Sequence, residues 1–183
     1  MKSSFQKKPV FRLAFCSVIA ALETVLMLLT GLTRIGTYAI PAFAGMLTVE
    51  VVIEYGCKWA LGVFAVTSVL AALLAGDKEA VVMFIALFGY YPILKNVLER
   101  YFRGNILRWV LKFAVFNAAA VASFYVATLL LSVPASEFTL FGVYLPHVFL
   151  LAGNVVFLLY DMSIAVFVRF YAQRLHPILF GKQ

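Results

Sequence analysis

Runs of apolar residues long enough to cross a bilayer recur along this chain, and nearly all of its Lys and Arg fall in every second gap between them. A helix needs about 20 mostly apolar residues to span roughly 30 Å of hydrocarbon. Six stretches meet that requirement: Val10 to Leu32, Tyr38 to Tyr55, Trp59 to Ala75, Ala80 to Leu94, Ile106 to Leu131 and Leu145 to Tyr171. The expected fold is an all-α integral membrane protein, a six-transmembrane-helix bundle. With 64% hydrophobic residues and a mean hydropathy of +1.01 over 183 residues, no stretch is left in which a separate soluble domain could build a core. Residues 1–183 read as a single transmembrane domain.

An even number of spans puts both termini on one side, and the charges say which side. Lys2, Lys7, Lys8 and Arg12 precede or open the first span, and Lys58 lies in the second gap. Lys95, Arg100, Arg103, Arg108 and Lys112 cluster around the fourth gap, and Arg169, Arg174 and Lys182 close the chain. The opposite face keeps only Arg34 and Lys78, and Lys78 stands between Asp77 and Glu79. Because cytoplasmic loops hold the excess of Lys and Arg, both termini are expected in the cytoplasm, with the protein a multi-pass component of a bacterial plasma membrane. The formal charge of +7 then marks helix ends attracted to anionic lipid headgroups, and no basic stripe or single-strand module speaks for nucleic acid.

Cys16 and Cys57 both fall toward cytoplasmic helix ends, where a structural disulfide is not expected. The first apolar stretch imitates a signal peptide, but it is too long for an h-region and lacks an A-x-A-like site, so it reads as a retained helix. Two outer gaps have character. Gly31 to Pro41 carries turn-permitting Gly31 and Gly36, with Pro41 placed for the first turn of the next helix. Ser132 to Pro146 is long and apolar, through Phe138, Leu140, Phe141, Val143 and Tyr144, and is expected to fold back as a lid or a short interfacial helix.

Catalytic and metal motifs are missing. The chain has no H-E-x-x-H, G-x-S-x-G, Walker loop or C-x-x-C, and its histidines, His147 and His176, are assigned to opposite faces. It is therefore expected to be no enzyme, to hold no metal or other cofactor, and to draw any ATP energy from another subunit.

What remains is a set of polar side chains inside the spans, which are expensive in hydrocarbon and face the bundle interior, a partner or a cavity. Asp161 falls near the depth of Lys112, and Glu50 and Glu54 near that of Lys95 or Lys58, so ion pairs account for these. Asn117 reads as interhelical glue. Glu23 has no obvious cation nearby, and Glu23 and Asn154 both point toward the outer half, where a structural role and a solute-site role both stand. Trp59, Trp109, Tyr55, Tyr101 and Tyr171 sit at inner boundaries as interface anchors. Tyr38, Tyr125, Phe149 and Tyr144 gather at the outer end instead, and Glu23, Arg34, Tyr38, Tyr125, His147 and Asn154 make the candidate solute site. On the first helix, Ala14, Ser17 and Ala21 recur at helical spacing, which suits close helix approach either within the bundle or with a partner subunit.

A chain of about 20 kDa with six helices and cytoplasmic termini, a small-residue first helix, a structured first outer gap entering Ile40-Pro41 and a Gly56-Cys57-Lys58-Trp59-Ala60-Leu61-Gly62 turn into the third helix resembles the substrate-binding S components of energy-coupling factor (ECF) transporters. The resemblance covers nearly the whole chain; the family's Ala-x-x-x-Ala on the first helix is here Ser17-x-x-x-Ala21. It implies an outward-opening binder of a vitamin-like micronutrient that works with a transmembrane coupling subunit and cytoplasmic ATPases. The rival class is a non-transporting polytopic scaffold, for example in cell-envelope assembly, and retention of a stoichiometric small molecule by the purified protein separates the two.

Overall fold

From Val10 to Thr30 the chain has neither glycine nor proline, and it forms a continuous helix, α1, over Pro9–Leu28. The Thr30 hydroxyl then donates to the Met27 carbonyl at 2.8 Å and closes the end in a short 3-10 turn, Thr30–Leu32. The structure is a computed structural model describing residues 9–32, 36–102, 104–129, 139–140, 143–144 and 146–177. After α1 come α2 (Gly36–Tyr55), α3 (Cys57–Leu74), α4 (Lys78–Met83), a π-helical turn (Phe84–Phe88), α5 (Tyr91–Tyr101), α6 (Asn105–Leu129), two short strands and α7 (Pro146–Phe170), which runs into a second π-helical turn, Tyr171–Leu175. Six of the resulting helical segments are long and apolar enough to cross a membrane, with α4, the first π turn and α5 together making the fourth. Six crossings would return the chain to the face it left. That face is called the terminal face below, and the opposite one the distal face.

Connections are short because single residues do the turning. Between α2 and α3 only Gly56 intervenes, at φ +84, a backbone conformation that a side chain disfavours. At the distal face Asp77 caps α4 by accepting from the Ala80 N–H at 3.0 Å, while Lys78 donates to the Ala72 and Ala75 carbonyls at the end of α3. One residue pair therefore satisfies both helix ends at that corner.

Three clusters form the interior. The first joins α1, α2, α3 and α5 through Cys16, Ile19, Val51, Val63 and Ile93; the second joins α1 to α4 through Met27, Ala44, Ala71, Ala80 and Phe84. The third is aromatic: Tyr91, Phe116, Phe157 and Tyr160 bring α5, α6 and α7 together, with Phe116 stacked on Phe157 at 4.5 Å between centroids.

Several boundaries depart from the sequence reading. The fourth span runs over Lys78–Tyr101 rather than 80–94, because Lys95 is buried and paired inside the bundle and does not mark a loop. The third begins at Cys57, which makes Lys58 a helix residue, and the last continues to Leu175. Because α2 starts at Gly36, Pro41 lies inside the helix and not in its first turn. In the long gap, residues 132–138, 141–142 and 145 lie outside the described residues. Thr139 pairs opposite Tyr144 and Leu140 opposite Val143 in an antiparallel ladder, so these residues are not the short interfacial helix that was one of the two expectations, the other being a lid.

Candidate functional site

Glu23 has no exposed surface. It lies about 21 Å along α1 from Pro9, and its partners Thr67 and Thr48 lie about 15 Å from the start of α3 and about 10 Å from the end of α2. These depths put the carboxyl near the middle of the bundle. Thr48 donates to Oε1 at 2.7 Å and Thr67 to Oε2 at 2.8 Å, so each carboxylate oxygen takes one hydroxyl, each from a different helix. Among the described residues, no ion pair engages Glu23.

A broken helix borders this site. Pro92 has no N–H, so the Phe88 carbonyl four residues earlier has lost its helical donor, and the span loosens into a π turn followed by Gly89 and Tyr90. Tyr160, from α7, donates to the Phe88 carbonyl at 3.0 Å. Gly45 of α2 presses on the same spot: a Cβ there would stand 2.5 Å from the Phe88 oxygen and 2.7 Å from the Tyr160 hydroxyl oxygen. Gly45 is one helical turn from Thr48, and Phe64, which packs on Phe84, is one turn from Thr67. Carboxyl and helix break are thus adjoining parts of one region. Discontinuous helices at membrane depth are tolerated where protein or a cavity re-satisfies the freed backbone groups, and they recur at transporter binding sites.

Nearer the terminal face lies a second polar assembly of opposite character. Asp161 Oδ1 accepts from Tyr91 at 2.5 Å and pairs with Lys95 at 2.7 Å and Lys112 at 2.9 Å, while Glu99 takes Lys112 at 2.9 Å. Two cations meet two anions, and all but Glu99 are buried. The expected depth match of Asp161 with Lys112 is present. Lys95, expected near Glu50 or Glu54, instead joins Asp161; Glu54 accepts from Tyr171 at 3.0 Å and faces His176 at 3.5 Å. Glu50 is buried beside Glu54 and takes part in no ion pair among the described residues.

Of the six candidate solute residues, Glu23, Tyr38, Tyr125 and Asn154 have described side chains. Arg34 lies outside the described residues, as does the side chain of His147. Tyr38 is exposed at the distal face and donates to Glu79 at 2.6 Å, and Tyr125 is exposed on α6 with its ring edge against Phe124. Asn154 pairs reciprocally with Asn117, each amide donating to the other's oxygen at 2.9 Å. That doubly bonded clamp is the structural alternative weighed for Asn154 and the glue expected of Asn117. On α1, Ala14, Ser17 and Ala21 all point away from the bundle interior.

Thr48, Thr67 and Tyr160 were not singled out in the sequence. A threonine in an apolar run carries no signal of its own, but the pairing of Pro92 with an orphaned carbonyl at Phe88 was available to lead to Tyr160. Among the described residues, no group of three or more His, Cys, Asp or Glu could hold a metal ion. No protein-family model, curated protein or solved structure matches the chain.

Proposed function

We propose that this chain is the solute-capturing membrane subunit of an ECF-type uptake system in a bacterial plasma membrane, with cytoplasmic termini and no catalytic activity of its own, delivering a vitamin-like micronutrient to a coupling subunit and its ATPases. The observation that carries this reading is the contrast between two buried carboxyls. Asp161 is matched by two ammonium groups, whereas among the described residues Glu23 is met by the hydroxyls of Thr48 and Thr67 and by no cation. An ionisable group in the membrane is a functional candidate by default, since its burial has a cost that packing alone does not offset.

Glu23, Thr48 and Thr67 offer acceptor oxygens to an ammonium, amide or hydroxyl group of a solute, and the break at Phe88 to Tyr90 supplies a neighbouring element that can rearrange to admit it. The exposed Ala14, Ser17 and Ala21 face leaves α1 open to a partner helix. Mass spectrometry of small molecules released from the purified protein tests the assignment. A stoichiometric polar solute is expected, with Glu23→Gln weakening its binding by about tenfold or more through loss of a charged hydrogen bond of about 1.5–3 kcal/mol. A ligand-free preparation that stays folded favours the scaffold reading, whereas unchanged affinity in Glu23→Gln removes the solute site from Glu23.

A further inference from the structure

Arg12 occupies the fourth position of α1, at the terminal face, and its guanidinium lies over two rings, 5.7 Å from the centroid of Tyr55 and 5.2 Å from that of Trp59. No carboxylate pairs with it among the described residues. Its Nε and the Tyr55 hydroxyl are both buried with no hydrogen-bond partner among the described residues. Two donors left open beside a fixed positive charge lack the same thing, an anionic acceptor. Exposed Lys58 stands next to Trp59 in the first turn of α3 and adds a second cation at that level.

Below this cationic corner the outer face of α3 is apolar and nearly flat. Gly62 has no neighbour within 4 Å of where a Cβ would stand among the described residues, and Ala65, Val66, Val69 and Leu70 line a shallow, open and wholly apolar depression. Lys58 and Ala65, Trp59 and Val66, and Gly62 and Val69 are each seven residues apart, two helical turns, so the depression continues the face that Lys58 and Trp59 open. A cationic, donor-bearing head at interface level above an apolar surface fits an amphiphile with an anionic head and an acyl chain.

We infer that Arg12, Tyr55, Trp59 and Lys58 form a headgroup site for an anionic phospholipid of the leaflet at the terminal face, whose acyl chain lies along α3 from Gly62 to Leu70. The phosphate pairs with the Arg12 guanidinium and exposed Lys58, and the chain lies over the small side chains at 62 and 65. This site is distinct from the Glu23 region and does not depend on a solute being bound there.

Native mass spectrometry of the full chain in a neutral detergent, titrated with phosphatidylglycerol or phosphatidylcholine of identical acyl chains, tests the site. One phosphatidylglycerol is expected to be retained per protein with at least tenfold preference. Arg12→Gln is expected to abolish that preference, Lys58→Gln to reduce it, and Gly62→Phe, which fills the depression on an exposed face, to weaken retention of the lipid. Equal retention of both lipids, or a preference that survives in Arg12→Gln, overturns the site. Inorganic phosphate at 10 mM should neither bind nor displace the lipid; if it does both, the lipid assignment is overturned. Should Arg12→Gln fail to fold, Lys58→Gln and Gly62→Phe decide, because neither touches the interior, and no effect of either on lipid retention overturns the site.

Discussion

At the scale of single residues, the chain treats its buried charges in two ways, and the difference is measurable. Asp161 is held by Lys95, Lys112 and Tyr91 from two other helices. Removing one partner of a buried pair leaves the other charge uncompensated at about 3–5 kcal/mol. Asp161→Asn is therefore expected to lower thermal stability by that order, as read by unfolding in detergent, since it leaves two buried lysines with only the partly exposed Glu99 as counter-charge. Glu23→Gln keeps an oxygen and adds an amide in a site without a cation among the described residues, so its stability loss should be far smaller even as solute affinity falls. Equal losses in the two variants would mean that Glu23 is also part of a charge balance. Depth matching in the sequence pointed to Asp161 with Lys112 because both stand well inside their spans. It missed Lys95, whose neighbours Glu99 and Arg100 make that stretch look like a loop, and only the tertiary pairing with Asp161 shows it to be interior. Residue counting likewise cannot separate an Asn that awaits a ligand from one, like Asn154, that another helix already engages.

At the scale of elements, the fourth span shows how one residue type propagates through the packing. Pro92 removes a donor, the Phe88 carbonyl is orphaned, Tyr160 replaces the donor, and Gly45 lets α2 come close enough to enclose the arrangement. Tyr160→Phe should cost about 1–3 kcal/mol by leaving the Phe88 carbonyl unsatisfied. In a Pro92→Ala background, where a helical N–H can reach that carbonyl, the same change should cost clearly less, and the coupling energy of the double-mutant cycle reads the difference. Additive effects would show that Tyr160 does not stand in for the missing donor. Gly45→Ala should lose about 1–3 kcal/mol from overpacking against backbone and the Tyr160 hydroxyl. The existence of each helix was legible from apolar run length alone, whereas the break was not: a π turn conserves hydrophobicity, and its only sequence traces are Gly89 and Pro92.

At the scale of the molecule, the six crossings follow from composition because hydrocarbon admits few alternatives, but their direction rests on charge. Among the described residues, Arg12, Lys58, Arg100, Arg108, Arg169 and Arg174 stand toward the terminal face, while the distal face shows Lys78 beside Asp77 and Glu79. Lys95 and Lys112 also lie toward the terminal face, but they are consumed by Asp161 and Glu99 and add little free charge there. The remaining asymmetry is still large, and under the positive-inside rule it is the basis for the proposal that the terminal face is cytoplasmic. In a chain whose Cys16 and Cys57 are replaced by Ser, a cysteine at Arg174 should resist a membrane-impermeant thiol reagent in intact cells and react once the membrane is opened. A cysteine at Glu79, beside the distal turn, should react in intact cells. The reverse pattern would invert the topology, and with it the leaflet that supplies the lipid at Arg12 and the side from which a solute reaches Glu23.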